Sequence, residues 1–313
     1  MNKITVIGSG NVGSTIAYTL TIMGIASEIV MIDVNEEKSL GEALDIRQGV
    51  AFCFPAKIYA GTYSDAEGSD IVVITSGMAR KPGQTRLDLA QTNVDIIKSI
   101  ADKIVPVAPD ATYVIVSNPV DILTYVFLKH TGLPQERVIG SGTILDTARL
   151  RSRISEYYSV NQKNVHAYVL GEHGDSSFVP WSLANISNVP VEKFKSAIQT
   201  KKEYPEFVLN EVEDYMRKSG ARIIQRKGAT FYAVSISVCH VCKCLLSGID
   251  TTLTVSTMLN GEYGIEDVCL SLLNVVGKNG AHSKVMLPLN DEEIKGLHNS
   301  ASVLKELIKN LNI

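Results

Sequence analysis

The sequence is poor in the features that would tie it to a membrane, a nucleic acid or a disulfide scaffold. Its 313 residues include five cysteines, an odd number in a long chain, which argues against a disulfide framework. No stretch approaches the roughly 18–20 unbroken apolar residues of a membrane span. The opening run, Met1 to Gly8, is too short for a secretory signal and lacks its cleavage pattern. Charge of either sign is not in excess: 30 Lys and Arg stand against 33 Asp and Glu. That balance lacks the positive excess that general nucleic-acid binding requires. Low-complexity tracts and internal repeats are absent, and 45% hydrophobic residues is too rich for a disordered chain. The expectation is a soluble, cytoplasmic protein with no membrane or nucleic-acid partner, long enough for one large or two ordinary domains.

The first half alternates short β-branched runs with longer periodic segments. Ile4–Ile7, Glu28–Ile32, Ile71–Thr75 and Tyr113–Val116 read as buried parallel strands, with Asn11–Met23 and Glu37–Ala51 as crossover helices. This alternation predicts an α/β fold with a doubly wound parallel sheet. Near Gly140-Ser141-Gly142 the rhythm changes to a long helix from Thr143 to about Tyr158, followed by mixed strands and helices that end in Asp291–Leu311. The boundary is placed there: 1–140, then an α+β unit over 141–313.

Gly8-Ser9-Gly10-Asn11-Val12-Gly13 follows the first strand and opens the first helix. Glycines there suit a tight turn and close packing, and the helix N-terminus offers amide donors to a pyrophosphate. Asp33 ends the next strand, 20 residues beyond Gly13, where a carboxylate would accept from ribose hydroxyls and repel a 2′-phosphate. NAD is the implied cofactor. The alternative is a structural glycine turn followed by an Asp that caps the next helix. After the strand at 71–75 comes a loop punctuated by Gly77 and Pro82-Gly83, with Arg80 and Arg86 on or beside it, which could act as a lid. Farther on, Asp146 and Arg149 share a helix face, and His173 sits in the polar turn Gly171-Glu172-His173-Gly174-Asp175. A His–Asp pair would orient an imidazole for proton transfer, and an arginine could clamp a carboxylate. Spacing alone leaves open whether these residues meet, or form a surface ion pair and a solvent-exposed histidine.

With those residues in place, the chain resembles the lactate/malate dehydrogenase superfamily from end to end, and its NAD-dependent L-lactate dehydrogenases in particular. The likeness rests on Gly8–Gly13, Ser117-Asn118-Pro119-Val120-Asp121, Gly140–Arg149, Asn164–Asp175, Lys227-Gly228-Ala229-Thr230 and Leu253-Thr254-Val255-Ser256. The resemblance implies a Rossmann-type NAD-binding domain and a catalytic domain acting on a small 2-oxo or 2-hydroxy acid. His173 would be the general acid/base, Asp146 its orienter, Arg149 the carboxylate clamp and Arg86 the carbonyl polariser. Asn118 and Thr230 would contact substrate. Cofactor contacts would come from Gly8, Gly10, Asn11, Val12, Gly13, Asp33, Thr75, Gly77, Val116, Asn118 and Ser141. Arg151 and His166 match an allosteric site for fructose 1,6-bisphosphate, and the family implies a homotetramer. One departure stands out: lactate dehydrogenases carry Gln where this chain has Arg80, and malate dehydrogenases carry Arg. Malate dehydrogenase therefore stays open beside lactate dehydrogenase, as does a non-catalytic dinucleotide-binding module.

Other signals are read as structural. Cys239, Cys242 and Cys244 lie in an apolar helical stretch, Thr230–Leu246, with no second Cys/His cluster to complete a zinc site, so no metal is expected. Lys193–Lys202 reads as a solvated polar helix, and Val165–Leu170 as core. His130, His282 and His298 show no evident partner.

Overall fold

A computed structural model describes residues 2–78, 86–200 and 202–313. Six short strands in the first half form the parallel part of one sheet: β1 (Lys3–Ile7), β2 (Glu28–Ile32), β3 (Lys57–Ala60), β4 (Ile71–Ile74), β5 (Thr112–Ile115) and β6 (Val138–Gly140). Their β-branched side chains are buried on both faces, so they read as continuous apolar runs, not as alternating ones. The spatial order is β6-β5-β4-β1-β2-β3. The chain winds outward from β1 in one direction and then returns to continue from β4 in the other. The crevice between the C-terminal ends of β1 and β4 is therefore the topological switch point, where open α/β sheets bind ligands.

Helices α1 (Asn11–Met23), α2 (Glu36–Gly49), α3 (Arg86–Ile104) and α4 (Val120–Thr131) link or cover these strands. The long helix α5 (Ile144–Tyr158) then leads into a three-stranded sheet of β7 (Val165–His166), β8 (Asn185–Ile186) and β9 (Val189–Pro190). Helices α6 (Val191–Ala197), α7 (Leu209–Lys227) and α8 (Tyr232–Leu245) follow. Strands β10 (Thr251–Asn260), β11 (Glu266–Gly277) and β12 (Gly280–Lys284) then extend the main sheet antiparallel, β10 joining β6 where Ser256 pairs with Gly140. Helix α9 (Asp291–Lys309) closes the chain on a capping box between Asn290 and Glu293. Two buried apolar clusters sandwich the large sheet, and a third lies where α5 and α7 cover the small one.

Several expectations change. Strands β3 and β6 were not anticipated: β3 opens on Lys57 and β6 has only three residues, the last a glycine, so neither shows the β-branched run that marks β4. The α2 helix ends at Gly49 and passes into a single 3₁₀ turn, Val50–Phe52. Among the described residues of Lys193–Lys202, the helix α6 reaches only to Ala197. The three histidines without evident partners all have one: His130 meets Asp102 at 2.7 Å, His282 meets Asp250 at 3.2 Å, and the His298 ring lies 2.9 Å from the Tyr263 carbonyl. Their partners are brought in by tertiary folding or by a neighbouring turn. All five cysteines are free, and Cys239 and Cys242 of α8 are buried. Burial pushes the Cys239 thiol up to about 12, as befits packing residues. No helix among the described residues is long and apolar enough to cross a membrane.

Candidate active site

The switch point is built from the glycine turn. Gly8 follows β1 with φ of +104°, and a Cβ there would stand 2.7 Å from Thr75 Oγ1 and 2.8 Å from the Ser76 nitrogen. Gly13, in the first turn of α1, is tighter still: its Cβ would lie 1.7 Å from the Gly8 carbonyl oxygen. These glycines let helix and strand touch. Gly10 differs, because nothing lies within 4 Å of a Cβ built on it. It precedes the free amides of α1, so it leaves open the approach that a phosphate would use. Asn11 and Val12 supply the first residues of that helix. Asp33 bridges the turn to the next strand end: Oδ2 accepts from the Ser9 amide at 2.5 Å, and Oδ1 from the Asn35 amide at 2.9 Å. It does not cap α2. Asn35 does, accepting from the Lys38 amide at 3.0 Å.

The second cluster grows from α5. Asp146 and Arg149 lie one turn apart, and the Arg149 Nη1 donates to Asp146 Oδ1 at 2.9 Å. The other carboxylate oxygen, Oδ2, meets His173 Nδ1 at 2.5 Å. The Asp146 side chain is only 8% exposed, so this is no surface pair. The His173 side chain is 27% exposed, which leaves Nε2 as the ring nitrogen that a ligand can reach. The Asp146 charge raises the imidazole to about 9 against the opposing effect of burial, and the hydrogen bond between them adds to the rise. Burial pushes Asp146 up, but His173 and Arg149 outweigh it and hold the carboxyl below its usual range. A positively charged imidazole is therefore held ready beside a guanidinium. That pairing can protonate and anchor an oxygen-bearing anion.

The sequence matches the family model of the lactate/malate dehydrogenase NAD-binding domain over residues 2–140. It matches the lactate/malate dehydrogenase α/β C-terminal domain over residues 143–312. The chain belongs to the lactate/malate dehydrogenase family. It is 47% identical to the L-lactate dehydrogenase of Thermoanaerobacter sp. (strain X514), with all of both chains covered. It is 45% identical to that of Acetivibrio thermocellus, covering all of this chain and 98% of the relative. The solved minor L-lactate dehydrogenase of Enterococcus mundtii superposes with a TM-score of 0.94 at 38% identity, over 100% of this chain and 99% of that one.

As a member of this NAD-dependent oxidoreductase family, the chain places its other expected site residues as follows. Thr75 and Gly77 follow β4. Thr75 Oγ1 lies 3.0 Å from the Gly8 carbonyl oxygen, fixing the β4 end to the glycine turn. Val116 is buried at the end of β5, and the Ser141 amide donates to the Ile115 carbonyl at 2.8 Å. Asn118 is exposed and joins Pro119 by a cis peptide. Thr230 lies between α7 and α8, half-buried. Arg151 is half-buried; its Nε donates to the Ala167 carbonyl at 3.0 Å and its guanidinium lies over the Tyr168 ring. His166 is exposed on β7. Arg80 lies outside the described residues. Arg86 opens α3 with its backbone, and its side chain lies outside what is described.

Sequence reasoning missed two residues of this region. Asn93 of α3 is 2% exposed; it accepts from the Met78 amide at 2.8 Å and donates to the Asn118 carbonyl at 2.7 Å. It thus ties the Asn118 turn to the residue preceding the arginine loop. Its only sequence signal was an amide inside an amphipathic helix. Asp121 of α4 is the second, and it was visible only as the last letter of Asn118-Pro119-Val120-Asp121.

Proposed function

We propose that this protein is an L-lactate dehydrogenase, interconverting pyruvate and L-lactate with NAD held by residues 1–140 and the acid handled by residues 141–313. The observation that carries this reading is the buried Asp146 carboxylate, which shares its two oxygens between His173 and Arg149. The glycine turn fits the cofactor: Gly8 and Gly13 close the strand–helix packing, Gly10 leaves space open before the α1 amides, and Asp33, tied to the turn by the Ser9 amide, would accept from the ribose hydroxyls. An acid at that position repels a 2′-phosphate, which favours NAD over NADP. When bound, NAD accepts or supplies the hydride.

The chain's own residues do the rest. His173 gives a proton from Nε2 to the substrate oxygen during reduction and, when neutral, removes it from the hydroxyl during oxidation. Asp146 holds the ring through Nδ1 and steadies its charge. Arg149 clamps the substrate carboxylate, with Asn118 and Thr230 as further contacts. Arg86 polarises the carbonyl, and charge developing on its oxygen is stabilised best where water is shut out.

Arg80 in the sequence favours a second reading, malate dehydrogenase, because a guanidinium beside the substrate's third carbon would pair with the second carboxylate of oxaloacetate. Enclosing it over the pyruvate methyl would cost on the order of a few kcal/mol. The deciding experiment is NADH oxidation with each acid. We expect the higher kcat/KM with pyruvate; a far higher value with oxaloacetate would overturn the lactate assignment, and no turnover of either would point to a non-catalytic module. The same assay, repeated with fructose 1,6-bisphosphate, tests Arg151 and His166 as an effector site. That site would work in a cytoplasmic homotetramer, with positive groups from two subunits on one bisphosphate.

A further inference from the structure

The histidine turn is held from beneath by a carboxylate that no role yet covers. Asp121 lies in the first turn of α4 and is 2% exposed. Its Oδ2 accepts the backbone N–H of His173 itself at 2.8 Å. Its Oδ1 accepts the hydroxyl of Ser256, on β10, at 2.6 Å. Both oxygens are thus engaged by the catalytic half of the chain, while the carboxylate is carried on a helix of the cofactor half. Asp146 holds the His173 ring and Asp121 holds its backbone, so two buried carboxylates grip one histidine from different helices.

We propose that Asp121 is a positioning residue for His173, fixing its backbone and acting as a second buried negative charge that helps keep the imidazole protonated. This rests on His173 being the proton donor of the reaction. The groups facing Asp121 are few. From the histidine turn come His173, whose positive charge favours the ionised carboxylate, and Glu172, which opposes it. Ser256 faces it from β10, and the Cys269 thiol of β11 feels its charge. Asp146 of α5 raises the same imidazole, and Arg149 opposes that rise. Burial raises the Asp121 carboxyl to about 6 despite the two donors, so at neutral pH the charge is present but poised. The Asp121 charge in turn adds to the rise of His173. A residue of purely structural value would need only the hydrogen bond. The charge is what makes Asp121 reach the proton chemistry.

Asp121→Asn separates the two roles, because the amide oxygen can still accept from the His173 N–H while the charge is gone. We expect the His173 ring, followed by NMR in the whole protein, to titrate about half a unit to one unit lower. On the alkaline limb, kcat/KM for pyruvate reduction should fall about 3- to 10-fold, while the neutral plateau changes by less than about 2-fold. An unshifted His173 titration, or a loss of activity uniform across pH, overturns the proposal. Should Asp121→Asn fail to fold, Ser256→Ala removes one donor and leaves the carboxylate. The Asp121 carboxyl carbon resonance should then titrate higher, with the His173 ring reporting an inflection at that same pH; a ring blind to it overturns the coupling. Failure of the functional reading would look different: wild-type protein that turns over neither acid, while the ring titration still responds to Asp121→Asn.

Discussion

At the scale of single residues, the site is a division of labour among groups that composition could not distinguish. His173 is raised because Asp146 is ionised beside it, and Asp146 stays ionised in a buried place because His173 and Arg149 compensate its burial. Replacing the imidazole should therefore act on chemistry far more than on the binding of either ligand. For His173→Asn we expect kcat for pyruvate reduction to fall about a hundred- to ten-thousand-fold. The pyruvate KM and the NADH dissociation constant should change little, since Arg149 and the glycine turn remain. Steady-state kinetics with a fluorescence titration of NADH checks this. A variant that loses NADH binding as steeply as turnover would show that His173 supports the fold instead of the proton transfer.

At the scale of elements, the glycine turn shows why spacing was enough for some features and silent on others. Gly8, Gly10 and Gly13 were legible because a strand followed by a helix admits few ways to pack closely, and glycine is what each of them needs. The structure adds that they do different jobs. Gly13→Ala would drive a methyl group against the Gly8 carbonyl, at 1.7 Å for the unrelaxed Cβ, so we expect a large fall in melting temperature. Gly10→Ala meets nothing within 4 Å in the protein. It should fold with an almost unchanged melting temperature and yet bind NADH about ten-fold or more weakly, because the methyl group enters the space left for the phosphate. Calorimetry and NADH titration on both variants separate the roles; equal destabilisation of the two would contradict the assignment. The meeting of Asp146 with His173 could not be read the same way. They are 27 positions apart, and only the passage of the chain through β7 and back over α5 joins them. Asp121 was quoted in a motif but had no partner within it, since its two donors come from 52 and 135 residues away. The pairing of His130 with Asp102 was hidden for the same reason, by a separation of 28 residues. Local periodicity reports local structure; a buried ionic contact depends on tertiary placement.

At the scale of the whole molecule, one sheet carries both halves, and its seam at Gly140–Ser256 lies beside the residues that join them. A near-neutral composition therefore conceals a centre where charges are buried and mutually dependent, and the pH dependence of stability should report it. The His173 value in the folded protein, about 9, lies above its ordinary 6.5. The stability it contributes is full below pH 6.5 and is lost as pH rises through 9, on the order of 3 kcal/mol across that window. Asp121 has the same sign in a lower window, because its folded value of about 6 also lies above the ordinary 3.8. Asp146 has the opposite sign, held below its ordinary value, so its contribution is lost only as pH falls through acid. Between pH 6.5 and 9 the His173 charge thus acts apart from both carboxylates. We expect the melting temperature of the wild type, relative to that of His173→Asn, to be highest near pH 6 and to decline steadily toward pH 9. Differential scanning calorimetry of the two proteins in parallel buffers measures that difference directly. A gap that stays constant over the range would mean that the imidazole is not charged in the folded state, and the buried pair at α5 would then have to be rebuilt around a neutral histidine.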